Sequence, residues 1–194
     1  MTDAVALLLA STSRYRRALL QRLRVPFDCV DPAIDESQHA GETPESMACR
    51  LAEAKARAVA RQAPGVLVLG ADQTASLHGR ALGKPGSRPR AHAQLAACSG
   101  LEVVFHTAVC LIDRDGEASG ALDTTRVRFR PLDDAAIERY LDAEEPLDCA
   151  GSFKAEGYGI TLFERIDSED PTALIGLPLI RTAALLRRAG LALP

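Results

Sequence analysis

Short apolar runs alternate with amphipathic stretches in the first half of the chain. Residues 4–10, 27–30 and 66–69 predict short strands. The first and third are apolar runs with the character of strands buried on both faces. Between them, leucines at positions 19, 20 and 23 have helical spacing, and Thr43 followed by Pro44 predicts the start of a helix that runs to residue 62. This alternation predicts parallel strands joined by helices.

Strands dominate the pattern of the second half. Residues 74–77 and 80–82 flank His78-Gly79 and predict a hairpin, while residues 103–112 and 122–129 predict two longer strands joined by a turn. Helices are predicted over residues 89–99, from Asp133 to 143, and from Pro178 to 190, with a strand over 160–166. The sequence therefore predicts an α/β fold with a mixed, partly parallel twisted sheet flanked by helices, in a single domain over residues 1–194.

The composition and net charge argue against several classes of protein. A net charge of −3 argues against general nucleic-acid binding, and no apolar run is long enough to span a membrane. The first residues contain no basic segment typical of a signal peptide. Five dispersed cysteines and four histidines show neither a disulfide nor a zinc pattern, which favours a cytoplasmic protein.

The hydroxyl cluster Ser11-Thr12-Ser13 separates the first strand from a helix whose first turn contains Arg14, Arg16 and Arg17. A helix N-terminus binds anions such as phosphate, and a bound anion would explain cations at that end. A capped helix with solvated arginines explains the same residues equally well.

Other candidate residues are individually weak. Asp72, between Gly70-Ala71 and Gln73, is expected just past the carboxyl end of a buried strand, where ligands collect in α/β sheets, although it could simply cap a turn. Glu36 lies in a loop, Lys55 flanks the apolar face of a helix, and Lys84 lies in a Gly-Lys-Pro turn. Solvation, snorkelling and turn formation are the ordinary explanations. Together the set suits metal-assisted attack on a phosphoanhydride.

The chain resembles the Maf family of nucleoside triphosphate pyrophosphatases. The similarity runs from about residue 7 to residue 186 and consists of ordered segments: LLLASTSRYRRALL, RLAEAKA, LGADQ, LGKP, EPLDCAGSFKAEGYGI and IGLPLI. It implies a fold like that of the inosine triphosphate pyrophosphatases, with a nucleotide cleft between two lobes. It also implies a divalent cation (Mg²⁺, Mn²⁺ or Co²⁺) and a homodimer.

The loop over residues 149–157, CAGSFKAEG, separates the subfamilies. It resembles the subfamily that hydrolyses 7-methyl-GTP to 7-methyl-GMP and pyrophosphate, rather than the dTTP/UTP enzymes. The resemblance implies that Asp72 is the proton acceptor, that Glu36 and Asp72 bind the metal, and that three residues set the substrate: Tyr15, Gln73 and Glu156. Ser11, Arg16, Lys55 and Lys84 match the remaining substrate-binding positions.

Two residues depart from the family pattern: proline is frequent at the position of Arg14, and tryptophan occurs in this subfamily at that of Tyr15. A cationic 7-methylguanine ring would bind over the aromatic face of Tyr15 and near the carboxylate of Glu156. The alternatives are a dTTP/UTP pyrophosphatase and a non-catalytic nucleotide-binding regulator of cell division. The CAGSFKAEG loop argues against the first, and the intact set of acidic and basic residues argues against the second.

Overall fold

The computed structural model describes residues 7–194, so the first three residues of the predicted strand 4–10 lie outside the described part. The five helices of that part are α1 (Arg14–Gln21), α2 (Pro44–Ala60), α3 (Arg88–Cys98), α4 (Asp134–Glu144) and α5 (Leu179–Arg188). Its strands are β1 (Leu7–Ala10), β2 (Asp28–Val30), β3 (Leu67–Leu77), β4 (Arg80–Leu82), β5 (Glu102–Ile112), β6 (Ala118–Phe129) and β7 (Phe163–Asp167). None of these helices is long and apolar enough to cross a membrane.

The strands form one sheet in the order β2-β1-β3-β5-β6-β7, and β4 pairs with β3. β1 is parallel to both β2 and β3, whereas the pairs β3–β5, β5–β6 and β6–β7 are antiparallel. The predicted mixed, partly parallel sheet is therefore confirmed, with its parallel part at the N-terminal end of the chain.

Strand β3 corrects one prediction. The apolar run over residues 66–69 suggested that the strand ends before Asp72, but β3 continues through Asp72 and Gln73 to Leu77. The reason is its neighbour, because β5 pairs with β3 from Val68 to Ser76 and keeps this segment extended. Asp72 does lie beyond the carboxyl end of β1, whose last pairing joins Ala10 to Gly70.

Gly70 brings helix α2 unusually close to the sheet. A Cβ atom at this position would lie 2.2 Å from the carbonyl oxygen of Ala52 and 2.6 Å from the amide nitrogen of Ala56. Glycine is therefore required for the close packing of α2 on β3. Lys55, which lies on α2 between Ala52 and Ala56, thereby comes within hydrogen-bonding distance of Asp72.

Helices cover both faces of the sheet. The α2 face has an alanine-rich core that includes Ala52, Ala56 and Cys110. The opposite face carries two separate clusters, one containing residues of α1 and α5 and the other residues of α3 and α4. β3 contributes to both clusters through Ala71 and Ala75, and the residues between them, Asp72 to Thr74, line a large cleft.

In the later part of the chain, the observed elements begin and end close to their predicted positions. The hairpin β3–β4 is confirmed, with positive φ at both turn residues, His78 and Gly79. The predicted strand over 160–166 begins only at Phe163, because residues 158–162 form a short 3₁₀ turn.

Candidate active site

A cleft of about 820 Å³ opens beside β3. All nine side chains proposed from the sequence line it: Ser11, Tyr15, Arg16, Glu36, Lys55, Asp72, Gln73, Lys84 and Glu156. They come from α1, α2, β3 and four separate loops. The fold thus brings distant parts of the sequence to one place.

Four charged residues form what we call the ion-pair wall: Arg16, Glu36, Lys55 and Asp72. The ammonium of Lys55 donates to Asp72 Oδ1 at 2.6 Å and to Glu36 Oε1 at 2.8 Å, while Arg16 lies 3.9 Å from Asp72. Lys55 is only 4% exposed and Asp72 only 6%. The alternative explanation of Lys55 as a snorkelling lysine does not hold, since its ammonium is buried between two carboxylates.

Asp35 and Glu36 are adjacent carboxylates in one loop, but only Glu36 lines the cleft. Asp35 instead accepts hydrogen bonds from the amide and hydroxyl of Ser37. Burial tends to raise the pKa of Glu36, but the hydrogen bond from Lys55 and the positive charges of Lys55, Lys84 and Arg16 prevail, so its pKa lies below the ordinary value. The carboxylate of Glu36 is therefore stabilised in its ionised form by the cations around the cleft.

Arg50 of α2 holds the loop that carries Glu36. Its guanidinium donates to both carboxylate oxygens of Glu42, at 2.5 and 2.7 Å, and to the carbonyl oxygen of Ser37 at 3.0 Å. The bidentate geometry is the strong form of an arginine–carboxylate contact. The role of Arg50 was not predicted, because an arginine on a helix carries no local sign of a loop partner.

The N-terminus of α1 faces the cleft. Ser13 is the N-cap and accepts from the amide of Arg16 at 3.4 Å, and the hydroxyl of Ser11 accepts from the amide of Ser13 at 3.2 Å. Within the described residues, no acceptor is found for the amides of Arg14 and Tyr15. Two backbone donors therefore remain available to an anion at this end of the helix.

The loop before α5 orients two cleft side chains. Its Gly176 carbonyl accepts from Arg16 Nε at 3.0 Å, and its Ala173 and Leu174 carbonyls accept from Gln73 Nε2 at 2.9 and 3.1 Å. Thr107 also accepts from Gln73 Nε2, at 3.0 Å. Carbonyls only accept, so the amide nitrogen must face them and the amide oxygen of Gln73 is left free of these contacts. These carbonyls, too, were missed by the sequence analysis.

Tyr15 is engaged on one side by its neighbour Arg14. The guanidinium of Arg14 lies 4.8 Å from the centre of the Tyr15 ring and donates to its hydroxyl at 2.7 Å. Asp148 lies 3.8 Å from the same guanidinium. Arg14 is thus not a purely solvated arginine, and a ligand that stacks on Tyr15 must use the other face or displace Arg14.

The loop over residues 148–157, here called the 148–157 loop, carries Cys149 and Glu156. Burial, and then the charge of Asp148, raise the pKa of Cys149 to about 12, which makes its thiol a poor nucleophile. Lys154 fixes the far end of the loop, since its amide donates to the Tyr140 hydroxyl at 3.0 Å and its ammonium to the Glu144 carbonyl at 2.7 Å. Glu156 itself is exposed to the cleft.

The donor set fits a hard divalent cation. Glu36 Oε1 and Asp72 Oδ1 meet at one ammonium, and within residues 7–194 no hydrogen bond to Glu36 Oε2 or Asp72 Oδ2 is found. Mg²⁺ is commonly bound through one or two carboxylates plus substrate phosphates. The described residues contain no cluster of three or more histidine, cysteine or acidic side chains, so a cage made only of protein ligands does not fit.

Comparison with known proteins places the chain in a family. Residues 6–189 match the family described as Maf-like protein. The chain belongs to the Maf family. A Xanthomonas oryzae pv. oryzae (strain MAFF 311018) protein named 7-methyl-GTP pyrophosphatase is 60% identical over 188 residues, 97% of this chain and 98% of that protein. A protein of Albidiferax ferrireducens with the same name is 56% identical and covers 95% of this chain and 94% of its own length.

A solved structure supports the fold of this Maf protein. The HAM1 protein from Coxiella burnetii superposes with a TM-score of 0.55 over 95% of this chain and 100% of that chain, at 18% sequence identity. At that identity the likeness concerns the fold alone. It agrees with the α/β class predicted from the sequence.

Proposed function

We propose that this Maf protein hydrolyses 7-methyl-GTP to 7-methyl-GMP and pyrophosphate. Both relatives described above carry the name 7-methyl-GTP pyrophosphatase and align with nearly the whole chain. The observation in the structure that carries the proposal is the buried pair of Lys55 and Asp72, joined at 2.6 Å on the wall of a cleft large enough for a nucleotide.

Asp72 is the proposed proton acceptor. A water molecule beside it attacks the α-phosphorus, a new P–O bond forms, and the bond from the α-phosphorus to the bridging oxygen of pyrophosphate breaks. The proton of the attacking water passes to Asp72 and then to solvent. Lys55 holds Asp72 in a single position, and its own position is held in turn by Glu36.

The triphosphate is held by positive groups of the ion-pair wall and its neighbours. Arg16, oriented by the Gly176 carbonyl, and Lys84, exposed on its turn, supply charge. The Ser11 hydroxyl and the free amides at the start of α1 supply donors. Placing fixed positive charge and donors where phosphate charge builds up is the principal means of catalysing phosphoryl transfer.

Glu36 and Asp72 would hold a divalent cation such as Mg²⁺, Mn²⁺ or Co²⁺. When bound, the cation supplies positive charge that offsets charge on the phosphate oxygens. Removal of divalent cations with a chelator should abolish turnover, and added Mg²⁺ should restore it. Full turnover in excess chelator would contradict this part of the proposal.

Tyr15, Gln73 and Glu156 are the proposed determinants of the base. Glu156 can accept from the guanine N1–H and exocyclic amine, and its charge complements the cationic methylated ring. The free amide oxygen of Gln73 is a further acceptor. The Tyr15 face that Arg14 leaves open suits a cationic ring.

The test is a panel of nucleoside triphosphates assayed for pyrophosphate release by the purified protein. We expect kcat/KM to be highest for 7-methyl-GTP, followed at a distance by GTP, dTTP and UTP. A preference for dTTP or UTP would overturn the substrate but leave the pyrophosphatase activity standing. Tight nucleotide binding without pyrophosphate release would overturn the activity itself.

A further inference from the structure

A single side chain of α3 connects two loops that line the cleft. Gln94 Oε1 accepts a hydrogen bond from the Ser152 hydroxyl at 2.5 Å, and Gln94 Nε2 donates to the Gly83 carbonyl at 3.0 Å. Gly83 directly precedes Lys84, and Ser152 lies in the same loop as Glu156. One amide thus joins the turn with a proposed phosphate ligand to the loop with a proposed base determinant.

The geometry leaves the amide of Gln94 only one orientation. The Gly83 carbonyl can only accept, so the amide nitrogen must face it, and the amide oxygen is then directed to the Ser152 hydroxyl. The Ser152 hydroxyl needs the contact, because a buried hydroxyl without a partner is costly. Ser152 is fully buried in the structure.

Ser152 also has a backbone that needs support from its surroundings. Its φ is +63°, in the left-handed region that non-glycine residues rarely adopt. Such a conformation persists only where neighbouring contacts hold it. A second hydrogen bond between the same two loops, from the Gly86 amide to the Leu147 carbonyl at 3.0 Å, lies before the 148–157 loop, whereas the Gln94 contact reaches the middle of that loop.

We propose that Gln94 is a positioning residue that sets the distance between Lys84, at the triphosphate, and Glu156, at the base. It touches neither substrate nor reacting atoms and acts through the two loops that it joins. The inference rests on the proposed function, since it takes Lys84 and Glu156 as substrate contacts.

The position of Gln94 predicts that its substitution raises KM and leaves kcat almost unchanged. Asp72 and Lys55 are held by β3 and α2, and no contact of Gln94 reaches them. Gln94→Met keeps a similar length but loses both hydrogen bonds. It should raise KM about five- to tenfold, within the range that the loss of ordinary hydrogen bonds gives. Its kcat should stay within about twofold of the wild-type value.

Two further variants separate the two contacts. Gln94→Glu keeps an acceptor for Ser152 but places an oxygen against the Gly83 carbonyl, so KM should rise by a similar factor for every triphosphate. Ser152→Ala keeps the Gly83 contact and loosens the base side, so the ratio of kcat/KM for 7-methyl-GTP to that for UTP should fall about fivefold. A merely structural role would lower kcat and kcat/KM together for every triphosphate, with no separate change in KM.

Gln62 offers a matched control. It lies just after α2, donates to the Ala58 carbonyl of its own helix and does not line the cleft. Gln62→Met should keep wild-type kinetics.

The positioning role is overturned if Gln94→Met and Gln94→Glu keep wild-type KM values, or if kcat falls while KM is unchanged. A failure of the proposed substrate is visible separately, in the wild-type protein. If the wild type prefers another triphosphate, the Gln94 variants are measured with that nucleotide. The expected result is the same, a raised KM with kcat almost unchanged.

Discussion

The ion-pair wall and the 148–157 loop line the same cleft but are built differently. In the ion-pair wall, Asp72 and Lys55 lie on a central strand and its covering helix, and both are almost fully buried. In the loop, Glu156 is exposed and lies outside every strand and long helix. The loop is instead held from behind by side chains of α3 and α4, among them Gln94 and Tyr140.

The difference suggests that the ion-pair wall serves the chemical step and that the 148–157 loop serves the selection of the substrate. Proton transfer depends on positions held to a fraction of an ångström, which packed secondary structure provides. A loop fastened at a few points can change its sequence while the sheet beneath it stays the same. The contrast predicts that changes in the wall remove activity or stability, whereas changes in the loop and its facing residue Tyr15 redistribute activity among substrates.

The largest expected effect is that of Asp72→Asn. The substitution keeps the shape of the side chain but removes its basicity and its charge, so turnover should fall by about 10²–10⁴. The measurement is kcat for pyrophosphate release, with circular dichroism to verify the fold. Asp167→Asn is the control, since Asp167 lies in β7 of the same sheet, outside the cleft. Near-wild-type turnover of Asp72→Asn would refute its role.

Lys55→Met should give the largest loss of stability. Removal of the ammonium leaves Asp72 buried with only the more distant Arg16, and breaking such a buried pair typically costs about 3–5 kcal/mol. Glu36→Gln should cost under about 1 kcal/mol, because the Glu36 side chain is 53% exposed. Urea unfolding of both variants measures the difference, and equal losses would contradict the burial argument.

The pH dependence provides an independent check on Glu36. Because its pKa is lowered in the folded protein, its pairing with Lys55 stabilises the fold above the ordinary pKa of glutamate. That contribution disappears as the pH falls through the lowered pKa. The small difference in unfolding free energy between wild type and Glu36→Gln should therefore shrink on acidification from pH 6, and growth of the difference would contradict the ion pair.

The elements that the sequence predicted well are those with local signals. Thr43 and Asp133 cap α2 and α4 through hydrogen bonds to nearby amides, as their neighbouring sequence indicates. The extension of β3 through Asp72 had no such signal, because Gly70 and the polar residues after it resemble a turn and only pairing with β5 keeps them extended.

The candidate residues were predictable as types, but their contacts were not. The burial of Lys55 depends on the space that Gly70 leaves for α2, 15 residues away in sequence and visible only in three dimensions. Gln94 and Arg50 lie on helices that have ordinary sequences, and their partners are loop carbonyls and carboxylates. Single-domain organisation, the homodimer and the cytoplasmic location stay predictions.

Glu156→Gln tests the loop side of the comparison. Loss of the charge should weaken the attraction to a cationic base while the fold and the ion-pair wall remain unchanged. The ratio of kcat/KM for 7-methyl-GTP to that for GTP should fall about tenfold, close to 1.4 kcal/mol. Glu164→Gln is a suitable control, since Glu164 lies on β7 outside the cleft. An unchanged ratio would remove Glu156 from base selection.

The smallest expected effect concerns Tyr15 and its neighbour Arg14. Tryptophan offers a stronger face to a cation than tyrosine, but a cation–π contact contributes only about 0.5–2 kcal/mol. Arg14 already covers one face of Tyr15 and donates to its hydroxyl, and this second contact is lost in Tyr15→Trp. We therefore expect Tyr15→Trp to lower KM for 7-methyl-GTP by about twofold to fivefold and to leave KM for UTP unchanged.

The substitution Arg14→Ala sharpens this prediction. It frees the covered face of Tyr15 and removes a positive charge from the neighbourhood of a cationic base, so it should also favour 7-methyl-GTP over GTP. Because Arg14 and Tyr15 are in contact, the double variant measures the coupling between them. If the base stacks on the open face, Tyr15→Trp should lower KM for 7-methyl-GTP whether or not Arg14 is present. If the base must displace Arg14, Tyr15→Trp should help little on its own and clearly more in the Arg14→Ala background. A higher KM for 7-methyl-GTP in both single variants would contradict stacking on Tyr15 altogether.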